Sequence, residues 1–180
     1  YSYLLTSSGL SMTPVTTNIG PLYNGTIGYL KASSDGSKIA AASASGMGNG
    51  GIDVMDFDNS TGMLSNVITL SHNGYHYGVE FSPDGNLLYA SDVTSGAVYQ
   101  YDLLSPNIQS SQLLLGNVTA YNTETAAALQ LAVDGKVYIA NLDAPNLAVI
   151  NNPNILGSGS NFDPNGVNLA GRSSQGGLPT

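Results

Sequence analysis

The sequence predicts an all-β fold, a β-propeller, on three observations. A compound pattern recurs three times: Asp-Gly pairs fall at Asp35-Gly36, Asp84-Gly85 and Asp134-Gly135, spaced by 49 and 50 residues. Apolar residues alternate with polar or small ones on both sides of each pair, the period of a half-buried strand. Gly and Asn interrupt every window long enough for an amphipathic helix.

Each element follows in order from that repeat. The first strands lead into the Asp-Gly pairs, as in Gly78-Val-Glu-Phe-Ser-Pro-Asp-Gly85. There Pro83 pre-sets one turn dihedral and Gly85 supplies a positive one, which makes a tight hairpin. Second strands begin just after each pair, where Leu87 and Tyr89 alternate with their neighbours. Third strands are read at residues 52–58, 97–103 and 146–152, and more variable fourth strands at 64–70 and 112–115. The helix-like stretch at 124–130 is read as a loop entering the third repeat's first strand.

Four short antiparallel strands cannot bury both faces of their own sheet, so such units stack radially as blades. Three complete four-stranded blades are expected, at about 27–74, 75–124 and 125–170, within one propeller segment covering 1–180. Partial terminal blades fall at 1–26 and 171–180. Propellers close with roughly four to eight blades, so either the two ends pair into a fourth blade or this arc belongs to a larger ring. The larger ring is the reading adopted. Tyr1 in place of an initiator methionine reads as a processed chain or an excised piece.

Composition removes several function classes. Twelve acidic against four basic residues give a net charge of −8, and charged residues make up only 9% of the chain. Lys31, Lys38, Lys136 and Arg172 cannot build a phosphate-binding stripe, which excludes nucleic acid. No apolar run approaches the ~20 residues of a membrane-spanning helix, so no membrane insertion is expected. The absence of cysteine excludes disulfides, thiolate metal sites and a cysteine nucleophile. A coat of Ser, Thr, Asn and Gly in place of charge suggests an exported protein.

Several stretches resemble a known group: residues 27–36, the Asp56-Phe-Asp-Asn-Ser-Thr-Gly62 turn, residues 77–85, Val98-Tyr-Gln-Tyr-Asp102, residues 129–136 and Gly177-Leu-Pro179. They are similar to the β-propeller regions of large exported proteins of gliding bacteria, the gliding-motility-associated cargo of the type IX secretion system that carries a type B sorting domain. The resemblance implies secretion or display at the cell surface, and architecture more than activity.

Candidate chemistry is sparse. His72, His76 and Glu80 would align on a helix, yet Gly74 and Gly78 argue against one, so loop histidines that bond locally are preferred to a metal site. Residues 56–62 place oxygens at alternate positions as a calcium loop does, but lack the glycine and distal Glu of an EF-hand; a hairpin turn is preferred. There is no Gly-x-Ser-x-Gly elbow. Sequons at Asn24, Asn59 and Asn117 are read as chance in an Asn- and Thr-rich chain. No catalytic residue, metal or cofactor is assigned.

One constellation stands out. Alignment on Asp-Gly puts Lys31, Glu80 and Gln130 at one level of the first, innermost strands. The plain reading is a contact between adjacent blades, since buried charges need partners; the functional one is a polar ring at the channel. Above it, loops at 43–51, 71–77, 92–95, 120–125 and 141–146 emerge on one side. Aromatic faces and amides there suit a neutral glycan or peptide, with Tyr75, His76, Tyr77 and Tyr121 leading and Lys31, Glu80 and Gln130 just below.

The expected function is therefore a non-catalytic surface module for binding, adhesion or scaffolding. Its partners are the remaining blades or domains of the parent polypeptide or another surface protein. Two rivals remain: a propeller enzyme acting on glycans or lactones, and a purely structural part of a surface filament.

Overall fold

The computed structural model describes residues 1–22, 27–44, 50–71, 75–118 and 126–178. Tyr121 and His72 lie outside the described residues, as do the rest of 23–26, 45–49, 72–74, 119–125 and 179–180. Strands β1 (Leu5–Thr6) and β2 (Gly9–Leu10) form a small hairpin. Three four-stranded antiparallel meanders follow in chain order. The first sheet holds β3 (Leu30–Ala32), β4 (Lys38–Ser43), β5 (Gly51–Asp58) and β6 (Met63–Ser71). The second holds β7 (His76–Phe81), β8 (Leu87–Asp92), β9 (Ala97–Asp102) and β10 (Leu113–Asn117). The third holds β11 (Ala126–Leu131), β12 (Val137–Asn141), β13 (Asn146–Ile150) and β14 (Phe162–Asn168). Stacked meanders of this kind are propeller blades. Residues 126–130, read from sequence as a loop, are extended in β11: their alanines are small enough to pack between sheets.

The Asp-Gly repeat closes each first hairpin by a bond network. The Ser82 hydroxyl donates to Asp84 Oδ1 at 2.6 Å and accepts the Leu87 amide at 2.9 Å. Ser33, Asp35 and Lys38 repeat the arrangement in the first sheet at 2.6 and 2.9 Å. In the third sheet Ala132 replaces the serine, and the Tyr138 hydroxyl donates to Asp134 Oδ2 instead, at 2.8 Å. That turn is also tighter: Ala132 N–H bonds the carbonyl of Lys136, four residues on, where Ser33 and Ser82 bond residues five on. Residues 56–62 close the β5–β6 hairpin. Asp58 Oδ1 accepts the Ser60 amide and hydroxyl at 2.8 and 2.6 Å, while Asp56 pairs with Lys38 at 2.7 Å.

Alternation along the strands puts a core on each face of the second sheet. Leu88, Ala90 and Tyr101 pack toward the first sheet, against Ala40, Ile52 and Leu70. Leu87, Tyr89 and Val98 pack toward the third, against Leu129, Val137 and Ile139. Sealing any one of the leucines, isoleucines or valines among them contributes about 1.5–3 kcal/mol. Near the axis the sheets approach closely. A Cβ on Gly78 would run into the carbonyl oxygen of Ala127. In its place the Ser91 hydroxyl links the two, accepting the Gly78 amide at 3.0 Å and donating to Ala127 O at 2.7 Å.

Candidate functional site at the inner strands

The innermost strands β3, β7 and β11 bring Lys31, Glu80 and Gln130 together. Each stands two residues before its turn and pairs with the matching position of the next strand: Ala40, Tyr89 and Tyr138. Lys31 Nζ lies 3.0 Å from Glu80 Oε2 and donates to Gln130 Oε1 at 2.6 Å. Glu80 Oε2 also accepts the Leu131 amide at 3.0 Å, and Oε1 accepts the Phe81 amide at 3.1 Å. The two ionic side chains are only 12% and 6% exposed, so the pair is largely desolvated. The ammonium has three N–H groups, and two are spent on Glu80 and Gln130.

An aromatic wall stands beside this cluster. Tyr29 and Tyr77 meet edge to face with ring centres 5.3 Å apart, and Lys31 Nζ lies 5.8 Å from the Tyr29 centroid. Burial, reinforced by neighbouring Tyr77, pushes the Tyr29 phenol above its ordinary value. Sequence alignment does not single out Tyr29, because its column holds Gly78 and Ala128 rather than Tyr77. The two rings meet across sheets from positions one residue apart. The useful signal would have been aromatic residues in adjacent columns, not in one.

Other expected site residues separate. Tyr75 precedes β7, half-buried, its carbonyl accepting the Val93 amide at 2.9 Å. Tyr77 is half-buried within β7. His76 does not stand on a loop face: it is the first residue of β7, 2% exposed, with its ring 6.2 Å from that of Tyr99. The reason is alternation, which turns His76 inward when Tyr77 points the other way. Burial pushes its imidazole below the ordinary value, against a smaller upward pull from Asp92. On this strand His76 and Glu80 are separated by four residues, about 13 Å of extended chain, too far to coordinate one metal ion. Among the described residues, no three His, Asp or Glu side chains cluster to hold a metal ion.

No family model matches the sequence, and neither does any curated protein. Solved structures do share the fold. A putative 6-phosphogluconolactonase from Bacteroides uniformis aligns with a TM-score of 0.54 at 18% identity, over 82% of this chain and 45% of its own. The PQQ domain of pyranose dehydrogenase from Coprinopsis cinerea gives 0.55 at 14%, over 82% and 44%. A protein from Lactobacillus plantarum gives 0.51 at 22%, over 82% and 45%. The chain thus spans less than half the length of each. The all-β propeller reading stands. None of these proteins is named for gliding motility or type IX secretion, so the comparisons support the resemblance only as a propeller. The expectation that the chain is not an enzyme is overturned here: chains sharing its fold are named as a lactonase and a dehydrogenase domain.

Proposed function

We propose that the chain forms part of a propeller hydrolase that opens a sugar-derived lactone at the channel side of its inner strands. The observation that carries this reading is the desolvated Lys31–Glu80 pair beside the Tyr29–Tyr77 wall. The likeness of fold to the Bacteroides uniformis protein supports it. A flat, hydroxylated ring stacks on aromatic faces without needing charge. The remaining N–H of Lys31 donates to the lactone carbonyl oxygen, where negative charge develops as water adds. Glu80 takes the proton from that water and returns it to the ring oxygen as the C–O bond breaks, leaving a hydroxy acid. Export to the cell surface, read from the neutral polar coat, belongs to the same proposal.

The test is hydrolysis of aldonolactones by the full polypeptide, followed as acid release at neutral pH. Wild-type protein exceeds the spontaneous rate, and Glu80→Gln lowers kcat by about 10²-fold or more while retaining its circular dichroism. A wild-type rate equal to the spontaneous one overturns the reading, and so does an unaffected Glu80→Gln variant.

A further inference from the structure

The connection from β13 to β14 is fixed to the neighbouring sheet by buried bonds. Gln100, fully buried in β9, donates from Nε2 to the Tyr89 hydroxyl and to the Ile155 carbonyl, both at 2.9 Å. Its Oε1 accepts the Gly157 amide at 2.7 Å, and the Tyr89 hydroxyl donates to Pro153 O at 2.7 Å. Asn152 holds the far end: its backbone amide bonds Ser160 O at 2.9 Å and its side chain bonds Gly159 O at 3.2 Å. Asn161, at φ 53°, then turns the chain into β14.

Between this clamped turn and β10 lies a cleft of about 420 Å³. Leu113 and Leu115 line it from β10, and Gly157 and Ser160 from the turn. Leu115 and Phe162 join its lining to the core between the second and third sheets. No charged side chain lines it. Ser160 is 0% exposed, and its hydroxyl has no hydrogen-bond partner among the described residues. Other buried serines behave differently: Ser82 and Ser91 each use the hydroxyl as both donor and acceptor. A buried hydroxyl without a partner is costly and rare. Apolar walls, a rigid frame and one unmatched polar group make the composition of a small-molecule site.

We propose that this cleft binds an uncharged amphiphile, a small molecule with an aliphatic or aromatic body and a single hydroxyl or carbonyl oxygen. The oxygen meets Ser160 Oγ, and the body lies along Leu113 and Leu115. A carboxylate or an ammonium would be buried without a counter-ion. A sugar would strand most of its hydroxyls against leucine. The cleft is separate from the Lys31–Glu80 cluster, since β10 stands three strands outward from β7, about 14 Å across the sheet.

The probe is 1-octanol, titrated by calorimetry into the full polypeptide, with octanoate and Ser160→Ala as comparisons. The wild-type protein binds octanol saturably, and octanoate about tenfold more weakly or worse. Ser160→Ala keeps the wild-type thermal midpoint, because no internal hydrogen bond is lost, and binds octanol about tenfold more weakly. Absence of saturable octanol binding overturns the proposal, as does octanoate binding equally well or an unchanged octanol affinity in Ser160→Ala. A Ser160→Ala protein that melts several degrees lower, or does not fold, overturns it too, for the hydroxyl then has a partner within the protein. None of these readouts depends on whether lactones are hydrolysed.

Discussion

Replacing Glu80 by an apolar residue strands a desolvated ammonium with neither a charge nor a side-chain acceptor on that strand. Glu80→Leu should destabilise the fold by about 3–5 kcal/mol, and adding Lys31→Met should restore most of that, since an apolar pair of similar volume is often neutral. Urea midpoints of the two single variants and the double variant measure the difference; additive losses would show that the pair is not coupled. His76 gives a second prediction, with its sign set by burial. Its folded pKa is lowered, so below about pH 6.5 the unfolded chain binds the proton first and stability falls with pH. Asp35 and Asp58, held down at about 2, keep their charge through that range. Between pH 7 and 5 the parent should therefore lose more stability than His76→Leu, with His72 common to both proteins. The polar level of Lys31, Glu80 and Gln130 was legible in the sequence, because three copies of one pattern reveal an odd polar column among apolar ones. The inward turn of His76 was not legible, because strand phase at an element's first residue depends on where pairing with β8 begins.

At the level of elements, turn chemistry reads well and interlocks between sheets do not. Ser82, fully buried, uses its hydroxyl as both donor and acceptor inside one turn. Ser82→Ala should cost about 1–2 kcal/mol, visible as a fall in thermal midpoint, since it orphans the Leu87 amide. The third sheet escapes that dependence through its tighter turn and the Tyr138–Asp134 bond. Counting from Asp-Gly alone makes Leu88 equivalent to Tyr138, whereas the pairing makes it equivalent to Val137: Leu88 pairs with Phe81 as Val137 pairs with Leu131. A one-residue change inside a turn is invisible until pairing fixes the register. Gly78 carries the sharper test. Gly78→Ala should destabilise by about 1–3 kcal/mol, because the added carbon meets backbone that no rotamer can clear; an unchanged melting curve would show that β7 and β11 can move apart at Gly78 and Ala127 without cost.

On the scale of the whole molecule, an array of stacked sheets has mostly nearest-neighbour energetics: each sheet answers to the one on either side. Such arrays can melt from an end, one unit at a time. Lys31 changes that arithmetic, because its ammonium reaches past the second sheet to Gln130 in the third, ninety-nine residues away in sequence. A bond between second neighbours penalises any state in which one outer sheet has come away while the middle remains. Melting should then be closer to all-or-none than the repeat alone implies. Amides of β4 and β12 should exchange with solvent at similar rates in the parent and at divergent rates in Lys31→Met. A single ammonium thus acts as a correlation length: it extends the distance over which one part of the array registers the folding of another from one repeat to two.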